Sequence, residues 1–374
     1  MYKKNVIRQA LFTLIGVLFL SSAFAIPKGP CDEPMDVCCE EAVGPFAFSY
    51  PKDVGLSCPR DFYAHGEFLW MKPSEEGLEY AIDNNVPAVN ARNFPLQVGN
   101  VRGFSRSSDE WDWRPGFRVG FGFYGMHDQW QLAVDWTYLR IKADSDATNG
   151  GSGTLLGLFL PPFSTFTPLT DLDIRHASAR WSGDYNTMDL MIGKPYHVSR
   201  YFVSNPMFGI RTGWIDQDFH IRYNINNIER SVWLKNDYWG AGLRGYYEGQ
   251  FLLGGGWYIY GKAAFAMLFG KFDISQESDV VLGSGTGGSE FQYKTEDSFY
   301  SVQPNAELGM GISFSKYYHK NQYQVSLKIG YEFHHWWDQN QARKFFDADP
   351  AANDTTSRGD LSFNGFMFGL HLEF

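Results

Sequence analysis

The sequence predicts an all-β fold, an antiparallel transmembrane β-barrel of about 10 strands, on three observations. Aromatics make up 17% of the chain, with 12 Trp, 21 Tyr, 32 Phe and 39 Gly, yet mean hydropathy is only −0.31. Many segments alternate strictly between apolar and polar or small residues. Downstream of the N-terminus no run of about 18 apolar residues offers a transmembrane helix. A membrane barrel reconciles the three, because one residue in two faces lipid and the next a polar interior.

The elements follow in chain order. Lys3, Lys4 and Arg8 precede an apolar run from Ala10 to Leu20 that ends at Ala23-Phe24-Ala25. That pattern is a secretory signal peptide, residues 1–25, cut after Ala25. Losing it makes a chain of net charge −10 more acidic still, which argues against nucleic-acid binding. Residues 26–60 are rich in Pro and Cys and are expected to lie in the periplasm. Their Cys31, Cys38, Cys39 and Cys58 are disulfide candidates, with internal pairing and links to other chains both open. They lack paired C-x-x-C spacing, so no metal site is expected. No cofactor pattern is visible either.

The barrel is expected over 61–374. Up-strands fall near 61–71, 130–141, 204–221, 257–272 and 323–335, down-strands near 114–124, 179–193, 231–252, 291–314 and 361–374. Short connectors (125–129, 194–201, 253–256, 315–322) interleave with longer ones (72–114, 142–178, 223–231, 273–290, 336–360), as short periplasmic turns alternate with long extracellular loops. Twelve strands is the alternative, with 77–82 in the extra pair. A soluble sandwich also alternates. Against it stand Gly-rich polar faces, aromatics at the ends of the apolar stripes, and a last strand with no polar continuation. In that strand Phe366, Phe368, Leu370, Leu372 and Phe374 share one face. Alternation ending on an aromatic resembles the terminal strand of bacterial outer-membrane barrels, and that resemblance implies recognition by their assembly machinery, with outer-membrane lipid as the other expected partner.

Alternation also sends Arg118, Asp135, Asp189, Arg211, Arg244, Lys262, Glu307, Lys328 and Glu332 inward. Inward charges either set the selectivity of a pore or brace a closed one, since small barrels are often filled by side chains. "EFHHWWDQN" (332–340) raises an enzyme alternative, through His334, His335 and Asp338 near the outer rim. General-base chemistry needs a partner acid or nucleophile in reach, and His and Trp are also ordinary interface residues. No catalytic residue is therefore assigned and no enzyme is expected. "GSGTGG" (283–288) precedes no helix, so it is not a phosphate loop. "LFLPPFSTFTPL" (158–169) is an apolar loop that either constricts the lumen or contacts a partner.

"FYAHGEFLWMKPSEEGLEYAI" (62–82), "PGFRVGFGF" (115–123), "DYNTMDLMIGKPYHVSRYFVSNPMFGIRTGWIDQDFHIRY" (184–223) and "DYWGAGLRGYYEGQFLLGGGWYIYGKAAFAMLFGKFDI" (237–274) resemble, in order, the Legionella-type major outer membrane protein family, also found in chlamydia-related bacteria. The resemblance implies an abundant porin-like protein of the bacterial outer membrane, in some members cross-linked by disulfides to itself or to other envelope proteins. The expected function is a porin for small hydrophilic solutes or ions, with a structural role through disulfide cross-linking. The alternative is a structural or adhesive surface barrel with a plugged lumen; a barrel protease or lipase stands third.

Overall fold

The computed structural model describes residues 50–51, 62–84, 99–104, 111–125, 130–148, 154–159, 174–225, 228–282, 289–319, 322–348, 351–356 and 358–374. The leader, the four cysteines, 283–288 and 160–169 lie outside the described residues.

Ten long strands form the wall: β1 (Phe62–Glu75), β2 (Arg114–Tyr124), β3 (Gln131–Thr148), β4 (Ile174–Gly193), β5 (Phe202–Ile225), β6 (Ile228–Gly254), β7 (Trp257–Leu282), β8 (Ser289–Tyr318), β9 (Tyr323–Asn340) and β10 (Gly359–Glu373). Each pairs antiparallel with the next. β10 pairs with β1 from Leu361↔Glu75 to Glu373↔Tyr63, which closes the ring, and the Phe374 amide donates to the Phe62 carbonyl at 2.9 Å. Closure leaves the wall with no free edge. The ring has ten strands and not twelve. Glu79–Asn84, the strand that includes part of 77–82, pairs instead with Gly99–Gly103 and Thr154–Gly157, outside the wall.

Turns at one end are short. Gly254, Gly255 and Gly256 all have positive φ, a conformation glycine adopts without a Cβ clash, and they carry β6 into β7. That end faces the periplasm, as in barrels of this class. A short strand, Tyr196–Ser199, lies in the β4–β5 connection there and pairs with Tyr50–Pro51.

Phe208, Ile210, Leu243, Phe251, Phe265, Met267, Leu308, Ile329, Phe368 and Leu370 are exposed on the outer face. Aromatics bound this belt: Trp70, Trp239 and Tyr331 towards the outside, Trp130, Trp257 and Tyr323 towards the periplasm. Of the predicted assembly signal, Phe366, Phe368 and Leu370 belong to the exposed belt, while Leu372 and Phe374 are half-buried.

The sequence placed loops at 223–231 and 273–290, but much of these stretches is strand. β5 to β8 run for 24, 27, 26 and 30 residues, where about 9–11 suffice to cross a bilayer. Beyond Trp239 and Phe269 the outward positions turn polar: Asp237 and Lys235, then Lys271, Asp273, Ser275 and Glu277. The wall therefore projects past the lipid with both faces changed in character. The connection 336–360 also contains a hairpin, Arg343–Ala348 with Ala351–Thr356.

Leu370 sits midway along the lipid-facing side of β10. Leu370→Arg is expected to destabilise the barrel by about 2–4 kcal/mol, read as the shift of a urea unfolding curve in lipid vesicles. An unchanged midpoint would remove this residue from the lipid face.

Candidate functional site

The lumen is built in layers. At the periplasmic end a cavity of about 140 Å³ is lined by Tyr63, His65, Tyr124, Glu248, Lys328 and Glu373, among others. His65 reaches Asp135 at 3.0 Å, and Lys328 reaches Glu248 at 3.4 Å.

The cavity ends on a charge layer. The Arg211 guanidinium grips Asp189 with two bonds, at 2.6 and 2.7 Å, and also donates to Asn305 at 2.9 Å and to Glu307. Arg244 donates to both Glu307 oxygens, at 3.0 and 2.7 Å. Arg118 bridges Glu67 at 2.5 Å and Glu332 at 3.1 Å, and Lys262 also pairs with Glu332. His334 lies between Glu332 at 3.0 Å and Glu307 at 3.5 Å. Several of these bonds are chords: Arg211 on β5 meets Glu307 on β8, and Arg118 on β2 meets Glu332 on β9. Planar guanidinium and carboxylate groups pair bidentately, which fixes orientation as well as charge.

Above the charges stands an aromatic diaphragm. Trp336 on β9 and Tyr185 on β4, from opposite sides of the ring, meet edge to face at 5.8 Å. Tyr185 also meets Phe363 at 4.9 Å, and Trp336 meets Tyr238 at 6.4 Å. Trp336 is 0% exposed and Tyr185 2%. Gly213 on β5 makes room, since a Cβ there would lie 3.2 Å from the Trp336 ring. Edge-to-face rings gain about 0.5–1.5 kcal/mol beyond their burial.

Outside the diaphragm a cap fills the mouth. Trp111 packs on Trp181 and Phe104, and Phe159 on Phe219. The Tyr223 hydroxyl donates to the Tyr80 carbonyl at 2.6 Å. A bulge in β9, where pairing with β10 skips between Trp336 and Asn340, turns Gln339 inward. Its carbonyl accepts from Asn236 at 2.7 Å, and Gln303 donates to the Trp337 and Asp338 carbonyls at 3.0 and 3.1 Å. Glu75, 1% exposed, sits in this cap and accepts from Gln217 at 2.9 Å.

All nine inward charges named from the sequence point into the lumen, and each is in an ion pair. The partners Glu67, Glu248 and His65 were not singled out, although alternation through 61–71 puts Glu67 and His65 on the inward face. His334 joins the charge layer. His335 turns outward against Phe333 and Trp337, and Asp338 is not its carboxylate. Among the described residues no group of three or more His, Cys, Asp or Glu could hold a metal ion.

Residues 57–374 match the family described as the Legionella pneumophila major outer membrane protein precursor. No curated protein matches the sequence. Among solved structures, the outer membrane protease OmpT of Escherichia coli aligns at 9% identity over 84% of this chain and 97% of its own, with a TM-score of 0.40. A Pseudomonas aeruginosa FadL homologue aligns at 7% identity over 88% and 95%, with a TM-score of 0.24.

Glu307→Leu leaves two buried guanidinium groups without their shared carboxylate and is expected to cost about 3–5 kcal/mol in urea unfolding. Adding Arg244→Leu should recover part of that loss, because the two changes share a partner.

Proposed function

This chain belongs to the Legionella major outer membrane protein family, and from its packed lumen we propose that it is an outer-membrane barrel closed to solutes, serving as a structural wall element that carries its extracellular projection at the cell surface. One observation carries the reading: Trp336 and Tyr185 meet across the full width of the ring, above a layer in which charges from opposed strands are paired. A conducting pore needs a continuous wet path lined by groups that bind ions weakly enough to release them. Here arginines are bonded to two or more acceptors, and the layer above them is apolar. Disulfide links through the N-terminal cysteines would belong to the same structural role.

The porin reading keeps one observation in its favour. The cavity of about 140 Å³ at the periplasmic end is lined by charged and polar groups and leads to the charge layer. Displacing the diaphragm would extend it outward.

Planar-bilayer recording separates the two. The wild-type protein is expected to give no conductance steps, and Trp336→Ala combined with Tyr185→Ala to give discrete ones. Wild-type steps would establish the porin reading and remove the closed one.

A further inference from the structure

We propose that Ser362, His335 and Asp360 form a hydrolase site on the outer face of the wall, at the outer lipid–water boundary, and that its substrates are carboxylic esters of membrane lipids. The Ser362 hydroxyl lies 2.7 Å from His335 Nδ1. On the other side of the ring, His335 Nε2 faces Asp360 Oδ2 at 3.4 Å. A nucleophile bonded to a base, with the base held by a third group, is the arrangement that makes a serine reactive. The His–Asp distance is long, as such bonds often are before substrate binds.

The carboxylate is itself fixed. Asp360 Oδ1 accepts the Asp338 backbone amide at 2.9 Å, and Oδ2 faces the histidine. Asp338 has a φ of 49°, in the left-handed region that few non-Gly residues enter and that clusters at functional sites. It lies in the β9 bulge, among backbone groups displaced from the β9–β10 ladder. A bulge beside an active site commonly re-aims one group, and here it brings an amide to the carboxylate.

Location selects the substrate. His335 and Ser362 are direct cross-strand partners, so both side chains share the lipid-facing side of the wall. Next below them on the outward face are Phe333 and Asn364, with Lys72 beside Asn364, and one step further down Tyr331, Phe366 and Trp70 form the outer end of the apolar belt. A lipid's ester carbonyls lie at that depth, with acyl chains along the belt and the headgroup in water. Ser362 is only 5% exposed. The Trp337 ring stands edge-on over His335 at 4.7 Å, so the carbonyl must enter beside it.

The chemistry balances with water as the co-reactant. Ser362 Oγ bonds to the ester carbonyl carbon while its proton passes to His335 Nδ1. Asp360 holds the proton on Nε2 and stabilises the imidazolium. Collapse breaks the ester C–O bond, and His335 returns its proton to the leaving alkoxide, which departs as the alcohol. Water then attacks the acyl-Ser362 carbonyl and gives a proton to His335. Fatty acid leaves, and that proton restores the serine. This site is independent of whether the lumen conducts.

The test uses the full-length mature chain refolded in detergent micelles. Release of free fatty acid is followed from p-nitrophenyl palmitate, from phosphatidylethanolamine vesicles and from lipopolysaccharide; the last two arms distinguish a glycerolipid ester from a saccharide-linked one. Release from at least one is expected, with Ser362→Ala and His335→Gln lowering it by roughly 100-fold or more and the lumen variant Ser326→Ala leaving it unchanged. A fluorophosphonate probe should label wild-type protein at Ser362, which keeps the test open if a variant fails to fold. Absence of both fatty-acid release and labelling would overturn the proposal, as would release undiminished in a folded Ser362→Ala protein.

Discussion

Closure of ten strands into one ring sets the terms for everything inside it. A ring of that size leaves a lumen that long side chains cross from opposing walls. Trp336 and Tyr185 do so directly, and Arg118 and Arg211 do so through carboxylates three strands away. The lumen is thus a core turned inside out: its contents pack as a protein interior packs, while the apolar surface faces lipid. The seam between β10 and β1 is what makes this geometry possible, since an open sheet would bring no two of these groups together.

The inner charges differ from those of an ordinary surface. In the layer beneath the diaphragm, Arg118, Arg211, Arg244 and Lys262 stand against Glu67, Asp189, Glu307 and Glu332, an even balance before His334 is considered. Charges removed from water need partners and geometry to offset desolvation, and such a network often adds little net stability compared with apolar packing. Its physical effect here is registration. Arg118 and Arg211 each take acceptors from different strands, so the network is complete only when the strands have the observed stagger. The aromatic layer, where rings from four strands meet, contributes the packing that the charges do not.

The wall was legible from the sequence because lipid imposes a period of two: alternation located β2, β3, β7, β8, β9 and β10, and the interleaving of short and long connectors placed the other four. The extracellular halves were not legible, for the same reason. Past Trp239 and Phe269 no lipid requires an apolar outer face, so Asp273, Ser275 and Glu277 read as loop although the strand continues. Inward charges could be named one at a time, since facing direction is a local property. Their pairings could not, because Arg211 and Glu307 lie far apart in the chain and meet only through closure. "EFHHWWDQN" shows both sides of this. Alternation assigns His334 and His335 to opposite faces, yet the carboxylate beside His335 comes from Asp360, on the other side of a hairpin.

The bulge at 337–339 ties the two faces of the wall together. With one regular strand, Trp336 and Gln339 would fall on opposite sides. The irregular pairing between Trp336 and Asn340 lets both turn inward, where Gln339 bonds to Asn236 and Gln303 and helps fill the mouth. The same three residues leave the Asp338 amide free of the ladder and aimed outward at Asp360. Gln303 grips the carbonyls of Trp337 and Asp338 from within, so the backbone that holds the outer carboxylate is itself held by the plug. The packing of Gln339 inside the lumen and the contact that holds Asp360 on the lipid face are, at this bulge, consequences of one backbone conformation.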